Sequence, residues 1–161
     1  MDLGAVRILV VDDNRQAREL IKSVLASMGA QDIRYAVTAH DAFEQLRQEQ
    51  VDLVILDQNL GAGGEGLALA RRIRQDPTSP NPFVAILMLT GHADLALVRA
   101  ARDAGVNEFL AKPFNVAGLL KRLEALIFQP RMFVRSPNYV GPDRRRRADG
   151  GYDGVDRRSR G

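Results

Sequence analysis

Short apolar, β-branched runs and segments of helical period alternate five times along the first 130 residues, and this constrains the fold more than any other feature of the chain. The apolar runs lie at 6–11, 33–36, 53–56, 83–89 and 106–110, and the helical segments at 15–28, 40–48, 66–74, 94–103 and 116–128. Such alternation predicts a doubly wound α/β fold: a five-stranded parallel sheet with right-handed crossovers and helices on both faces. In the first helical segment Ala17, Leu20, Ile21, Val24, Leu25 and Met28 recur at three- and four-residue spacing, so one face is expected to be buried. The runs 6–11 and 83–89 are almost continuously apolar, as expected of inner strands covered on both sides. The stretch 76–82 holds three prolines and no helical pattern, which makes it the connection from the third helix to the fourth strand.

At 161 residues the chain has room for one domain and an extension. Its apolar fraction of 45% and charged fraction of 27% exclude wholesale disorder and fibrous architectures. The absence of cysteine excludes disulfides, thiolate metal sites and thiol nucleophiles. With two histidines, carboxylates are the expected metal ligands. No apolar run is long enough to cross a bilayer, and the segment after Met1 lacks the pattern of a signal peptide, so a cytoplasmic location is expected.

After Gln129-Pro130 the alternation stops. Residues 131–161 carry nine arginines against four aspartates, a net +5, which leaves 1–130 at −2. The sequence pI of 9.7 therefore describes the end of the chain and is no evidence that the body binds nucleic acid. The expected division is a folded domain over 1–130 and a flexible, basic tail over 131–161 rich in Arg, Gly and Asp. The tail can be read as an arm for nucleic acid, an anionic partner or an acidic membrane surface, or as a solubilising end. Phe133, Tyr139 and Tyr152 beside arginines could stack on bases, but Asp143, Asp149, Asp153 and Asp156 interrupt the charge. Tyr139-Val140-Gly141-Pro142-Asp143-Arg144-Arg145 looks like a short linear element without an evident mechanism.

In an open parallel sheet, ligands gather beyond the carboxyl ends of the strands, where strand order reverses. The predicted strands end in Asp12-Asp13, Asp57, Thr90-Gly91 and Lys112-Pro113-Phe114. Three clustered carboxylates repel one another by roughly 1 kcal/mol or more per pair, which a divalent cation relieves. An oxygen-only set suits Mg²⁺, with Mn²⁺ as a substitute. More ordinary roles compete: Asp12-Asp13 beside Asn14 could cap the first helix, Thr90 could cap the helix starting near Asp94, and Phe109 could be plain core.

The set Asp12, Asp13, Asp57, Thr90 and Lys112-Pro113, in this order and spread over residues 5 to 128, resembles the receiver domain of two-component response regulators. The resemblance implies the flavodoxin-like strand order 2-1-3-4-5. It implies Asp57 as phosphoacceptor, Mg²⁺ held by Asp13, Asp57 and the backbone carbonyl of Asn59, and Asp12 acting mainly through a metal-bound water. It also implies Lys112 paired with Asp57 and then with a phosphate oxygen, Thr90 bonding another oxygen, and Phe109 as an aromatic switch that turns inward when Thr90 moves. His92, two past Thr90, would at most tune attack of water.

The implied partners are a histidine kinase or histidine phosphotransfer protein, a downstream protein on the face of helix 4, strand 5 and helix 5, and possible homodimers. The chain is expected not to be an enzyme in the usual sense but to assist its own phosphorylation and dephosphorylation. One stretch departs from the family: Gly61 stands where a proline is usual and Gly66 comes one place late, so the loop 61–64 is expected to be longer and looser. Rival readings are a phosphorylation-independent interaction module of the same fold, a nucleic-acid binder acting through the tail, and an Mg²⁺-dependent phosphohydrolase. The last would place a second aspartate where this chain has Asn59.

Overall fold

The computed structural model describes residues 2–91 and 95–144. Five strands, β1 (Arg7–Val11), β2 (Asp32–Ala36), β3 (Leu53–Asp57), β4 (Ala85–Thr90) and β5 (Glu108–Ala111), form a parallel sheet in the order β2-β1-β3-β4-β5. Between and after them run α1 (Arg15–Ser27), α2 (Ala39–Gln48), α3 (Gly66–Gln75), α4 (Leu95–Asp103) and α5 (Val116–Phe128). This is the doubly wound order expected from the sequence.

The strands' two-residue period divides the core into two layers. Leu9, Val11, Val54, Leu56, Ile86 and Met88 face one way and meet the buried faces of α2, α3 and α4, including Phe43, Leu69 and Ile73. Ile8, Val10, Leu53, Ile55, Leu87 and Leu89 face the other way, toward Ile21 and Leu25 of α1 and Leu119 and Leu123 of α5. Covering on both sides leaves every residue of β3 buried, as the unbroken apolar run required. Each fully buried Leu, Ile or Phe contributes about 1.5–3 kcal/mol, so the paired layers, not helix propensity, hold the helices in place.

Helix starts are fixed locally. Asn14 caps α1 by accepting the Ala17 amide at 3.0 Å, Thr38 caps α2 through the Asp41 amide at 3.0 Å, and Asn115 caps α5 through the Gly118 amide at 2.7 Å. With Asn14 in that position, Asp12 and Asp13 are not spent on capping.

Part of the segment expected as a flexible tail has regular structure. Residues beyond Pro130 form an antiparallel hairpin, β6 (Phe133–Ser136) and β7 (Tyr139–Pro142), in register from Phe133↔Pro142 to Ser136↔Tyr139. It packs against the edge of the sheet opposite the carboxyl ends, around Arg74 of α3. Arg74 is 1% exposed and donates to the carbonyls of Gly105 and Pro82 and to Asn107 Oδ1, each at 2.9 Å, with the Phe133 ring 4.9 Å from its guanidinium carbon. Burial lowers its pKa to about 9, which leaves it cationic at neutral pH.

Gly105 and Gly141 let the hairpin come this close. A Cβ on Gly105, whose φ is +88°, would stand 2.4 Å from the Val140 carbonyl oxygen, and one on Gly141 would stand 2.7 Å from Gly105 Cα. The apolar residues of the hairpin come as two short clusters, Met132-Phe133-Val134 and Tyr139-Val140, separated by Arg135-Ser136-Pro137-Asn138 and flanked by arginines, too short to stand out as strands in the sequence. Tyr152 and the arginines and aspartates of 145–161 lie outside the described residues.

Candidate functional site

The hydrogen-bond ladder of the sheet runs one residue past several strands and so fixes the side chains that follow them. Asp12 N–H donates to the Ala36 carbonyl (3.1 Å), Gln58 N–H to that of Leu89 (2.8 Å), and Lys112 N–H to that of Thr90 (2.7 Å). Asp12, Asp57, Thr90 and Lys112 are thereby held on rigid backbone at one edge. Carboxylate oxygens of Asp12, Asp13 and Asp57 all lie within 4.8 Å of one another. Lys112 Nζ stands 3.4 Å from Asp12 Oδ2 and 3.3 Å from Asp57 Oδ1.

Asp12 is 0% and Asp57 4% exposed, whereas Asp13 opens to solvent. Backbone amides tie down each acid: Asn14 N–H donates to Asp12 Oδ1 at 2.9 Å, Asn59 N–H to Asp57 Oδ1 at 3.2 Å, and Gly61 N–H to Asp13 Oδ2 at 3.2 Å. Arg18 of α1 reaches back to the Asp12 carbonyl at 2.9 Å. Burial pushes the Asp12 carboxyl above its usual range. The Asn14 amide pulls it back, Asp57 adds to the upward push, and Lys112 opposes it.

One ammonium among three carboxylates leaves negative charge over in a partly desolvated place. The donors are all oxygen and one of the three carboxylates is open to solvent, so Asp12, Asp13 and Asp57 fit a hard divalent cation.

The loop after Asp57 explains the departure at Gly61. Its φ of +68° lies where proline, held near −65°, cannot go, and its N–H, which proline lacks, is the group that meets Asp13. The loop is closed by Glu65 N–H on the Leu60 carbonyl (2.7 Å) and Gly66 N–H on that of Gln58 (3.3 Å). A Cβ at Gly66 would stand 2.3 Å from the Asp57 carbonyl oxygen, so only glycine lets α3 start so close to the site.

Of the residues singled out in the sequence, Asp12, Asp13, Asp57 and Lys112 are in direct contact or close to it. Thr90 is buried at the end of β4 and pairs in register with Ala111, next to Lys112. Asn59 is exposed beside Asp57. Phe109 is half-buried on β5, against the core layer under α2, α3 and α4. His92 and Asp94 lie outside the described residues. The contacts of Arg18 and the Gly61 amide were not foreseen. The first is an ordinary helix arginine in sequence, and the second is a backbone group that no residue pattern announces.

The chain matches the model of the response regulator receiver domain over residues 8–124. It belongs to that family. It is 31% identical over 121 residues to the chemotaxis protein CheY-3 of Vibrio cholerae, covering 75% of this chain and 91% of that one. It is 32% identical over 123 residues to CheY1 of Helicobacter pylori, covering 76% and 97%. Among solved structures, a response regulator of Chloroflexus aurantiacus superposes with a TM-score of 0.67 at 33% identity, covering 75% of this chain and 96% of that one. One from Burkholderia pseudomallei, solved with a phosphorylated aspartic acid, a calcium ion and citrate, superposes at 0.65 with 29% identity, covering 77% and 71%. Receiver domains are phosphoacceptor signalling domains. Among the described residues no helix is long and apolar enough to cross a membrane.

Proposed function

We propose that Asp57 accepts a phosphoryl group from a phosphohistidine on a histidine kinase or histidine phosphotransfer protein, and that the altered domain then signals by binding a protein or by passing the phosphoryl group on. The observation that carries this reading is the placement of the Asp57 carboxylate. It is buried at a strand end, 3.3 Å from the Lys112 ammonium and within 4.8 Å of the Asp12 and Asp13 oxygens. The Burkholderia relative, solved with a phosphorylated aspartic acid, a calcium ion and citrate, supports it.

An Asp57 carboxylate oxygen attacks phosphorus, the P–N bond to the donor imidazole breaks, and the imidazole leaves with its electron pair. No general base is required, because a carboxylate oxygen attacks without first losing a proton. The work of the site is positioning and charge neutralisation of a loose, anionic transition state. Lys112, now shared between Asp12 and Asp57, bonds a phosphoryl oxygen, and the Thr90 hydroxyl bonds another. Asp12, Asp13, Asp57 and the Asn59 carbonyl would hold Mg²⁺, or Mn²⁺ in its place, which when bound neutralises the charge gathered on the phosphoryl oxygens. The Asn14, Asn59 and Gly61 amides keep the three carboxylates in position.

Thr90 moving toward the phosphoryl group frees space for Phe109 to turn inward, which changes the surface of α4 and β5 and shifts a pre-existing balance of two arrangements. A downstream protein would read that face. A cytoplasmic location suits the proposed donors.

The test is incubation with Mg²⁺ and acetyl phosphate. Wild type is expected to form an acid-stable, base-labile adduct that Asp57→Ala does not form. Equal behaviour of the two would end this reading.

A further inference from the structure

The hairpin β6–β7 is anchored on the start of β5, the strand that carries Phe109, and on the end of α4. Arg131 meets Glu108 of β5 at 3.2 Å, and Arg144 meets Asp103, the last residue of α4, at 2.7 Å. Gly141 lies against Gly105 in the connection between α4 and β5. Within the hairpin, Tyr139 is buried and donates its hydroxyl to the Pro142 carbonyl at 2.7 Å, Asp143 N–H donates to the Met132 carbonyl at 2.6 Å, and the Arg144 guanidinium carbon lies 4.4 Å from the centre of the Tyr139 ring. The sequence element Tyr139 to Arg144 thus has a mechanical reading, as a clasp that closes the hairpin onto the end of α4.

Beneath the clasp is a cavity of about 10 Å³, lined by Phe109 together with Arg131, Tyr139, Pro142 and Arg144. It has room for about one water. Its wall therefore includes the one half-buried aromatic ring that the proposed switch would move.

We infer that docking of the hairpin on Asp103 at the end of α4, Gly105 and Glu108 at the start of β5 is thermodynamically linked to the state of Asp57, so that the hairpin is this chain's own occupant of one end of its proposed output face. The inference rests on the reading of Asp57 as phosphoacceptor. In the structure half-buried Phe109 forms part of the wall that Tyr139 and Pro142 share around this small cavity. With the ring turned toward Thr90, that part of the wall is lost, and packed contacts do not stretch to follow it. Phosphorylation then loosens the hairpin. Because the linkage is reciprocal, loosening the hairpin must favour phosphorylation by the same factor. An external partner whose footprint reaches the Asp103–Glu108 end of that face competes with the chain's own residues 131–144, and phosphorylation lowers that competition. The arginine run continues directly from Arg144, so release of the clasp also releases the tether of that run to Asp103.

Hydrogen exchange on the full chain, with Mg²⁺ and with or without acetyl phosphate, reads the linkage directly, while the adduct is quantified in the same samples. Amides of 133–142 are expected to exchange several-fold faster when the adduct is present. Arg144→Ala, which removes one surface tether, is expected to speed exchange without phosphate and to raise the fraction phosphorylated by about twofold or more. Arg144→Lys should restore part of both effects. An adduct on wild type with hairpin exchange unchanged would overturn the inference and leave the phosphoacceptor reading standing. No adduct at all would overturn both.

Discussion

The two ends of the sheet each hold buried charge and treat it in opposite ways. At the carboxyl ends, Lys112 is shared between Asp12 and Asp57 at 3.4 and 3.3 Å while a third carboxylate, Asp13, opens to solvent. The charges there do not balance, and the proposed function uses that imbalance to take up a cation and an anionic group. At the other end Arg74 is more deeply buried than Lys112, yet three oxygens at 2.9 Å and the Phe133 ring answer it, and the hairpin seals it over. A buried cation satisfied by backbone carbonyls is structural. One that shares ionisable partners with an open edge, as Lys112 does, is the one the proposed function makes reactive. Burial by itself does not separate the two.

The largest effect should come from breaking the satisfied end. Arg74→Ala leaves the Gly105 and Pro82 carbonyls and Asn107 Oδ1 without their donor and opens a cavity, and should cost about 3–5 kcal/mol in urea unfolding, with Arg74→Met recovering part of the loss. Gly141→Ala forces a Cβ to within 2.7 Å of Gly105 Cα and should cost about 1–3 kcal/mol, with lost protection of hairpin amides and a raised fraction of adduct at Asp57. If Gly141→Ala instead abolished the adduct, the hairpin end would be needed to build the site at the carboxyl ends and would not merely be linked to it.

At the reactive end, Asp13→Ala should weaken Mg²⁺ binding by about tenfold or more, about 1.4 kcal/mol, while Thr90→Ala changes it little. Equal affinities by titration calorimetry would remove Asp13 from the ligand set. The smallest effect belongs to Asp52, whose carboxyl the Arg7 guanidinium and amide hold below its usual value. A depressed folded pKa contributes stability that is present above the usual value of 3.8 and is lost as pH falls through the lowered one. Asp52→Asn should remove that acid-limb slope. At 40% exposure the gain at neutral pH is under about 1 kcal/mol.

The reactive end was the legible one, for a reason that lies in the fold. In a parallel sheet every strand delivers its last residues to one edge, so Asp12, Asp13, Asp57, Thr90 and Lys112 could be placed together by their positions after apolar runs alone. The alternation itself fixed the five strands and five helices to within a few residues. The hairpin end had no comparable grammar. Phe133, Tyr139 and Pro142 sit in apolar clusters of at most three residues, and their worth depends on Arg74 and Gly105, 59 and 28 residues before Phe133 in the chain. Arg74 reads as one more polar residue on the outer face of a helix until the hairpin is laid on it. The substitution of Gly61 for the usual proline was visible, but its consequence, an added amide on Asp13, depended on a φ of +68° that the sequence does not state.

The central claim is that the phosphoryl group goes to Asp57 and not to the neighbouring acids, and reductive trapping tests it most directly. Borohydride reduces an acyl phosphate to an alcohol and so converts a phosphorylated aspartate to homoserine. After treatment with Mg²⁺ and acetyl phosphate, reduction and tryptic digestion, the mark should appear at Asp57 in the peptide 48–71. A mark at Asp12 or Asp13 in the peptide 8–15, or no mark on wild type, would contradict the account.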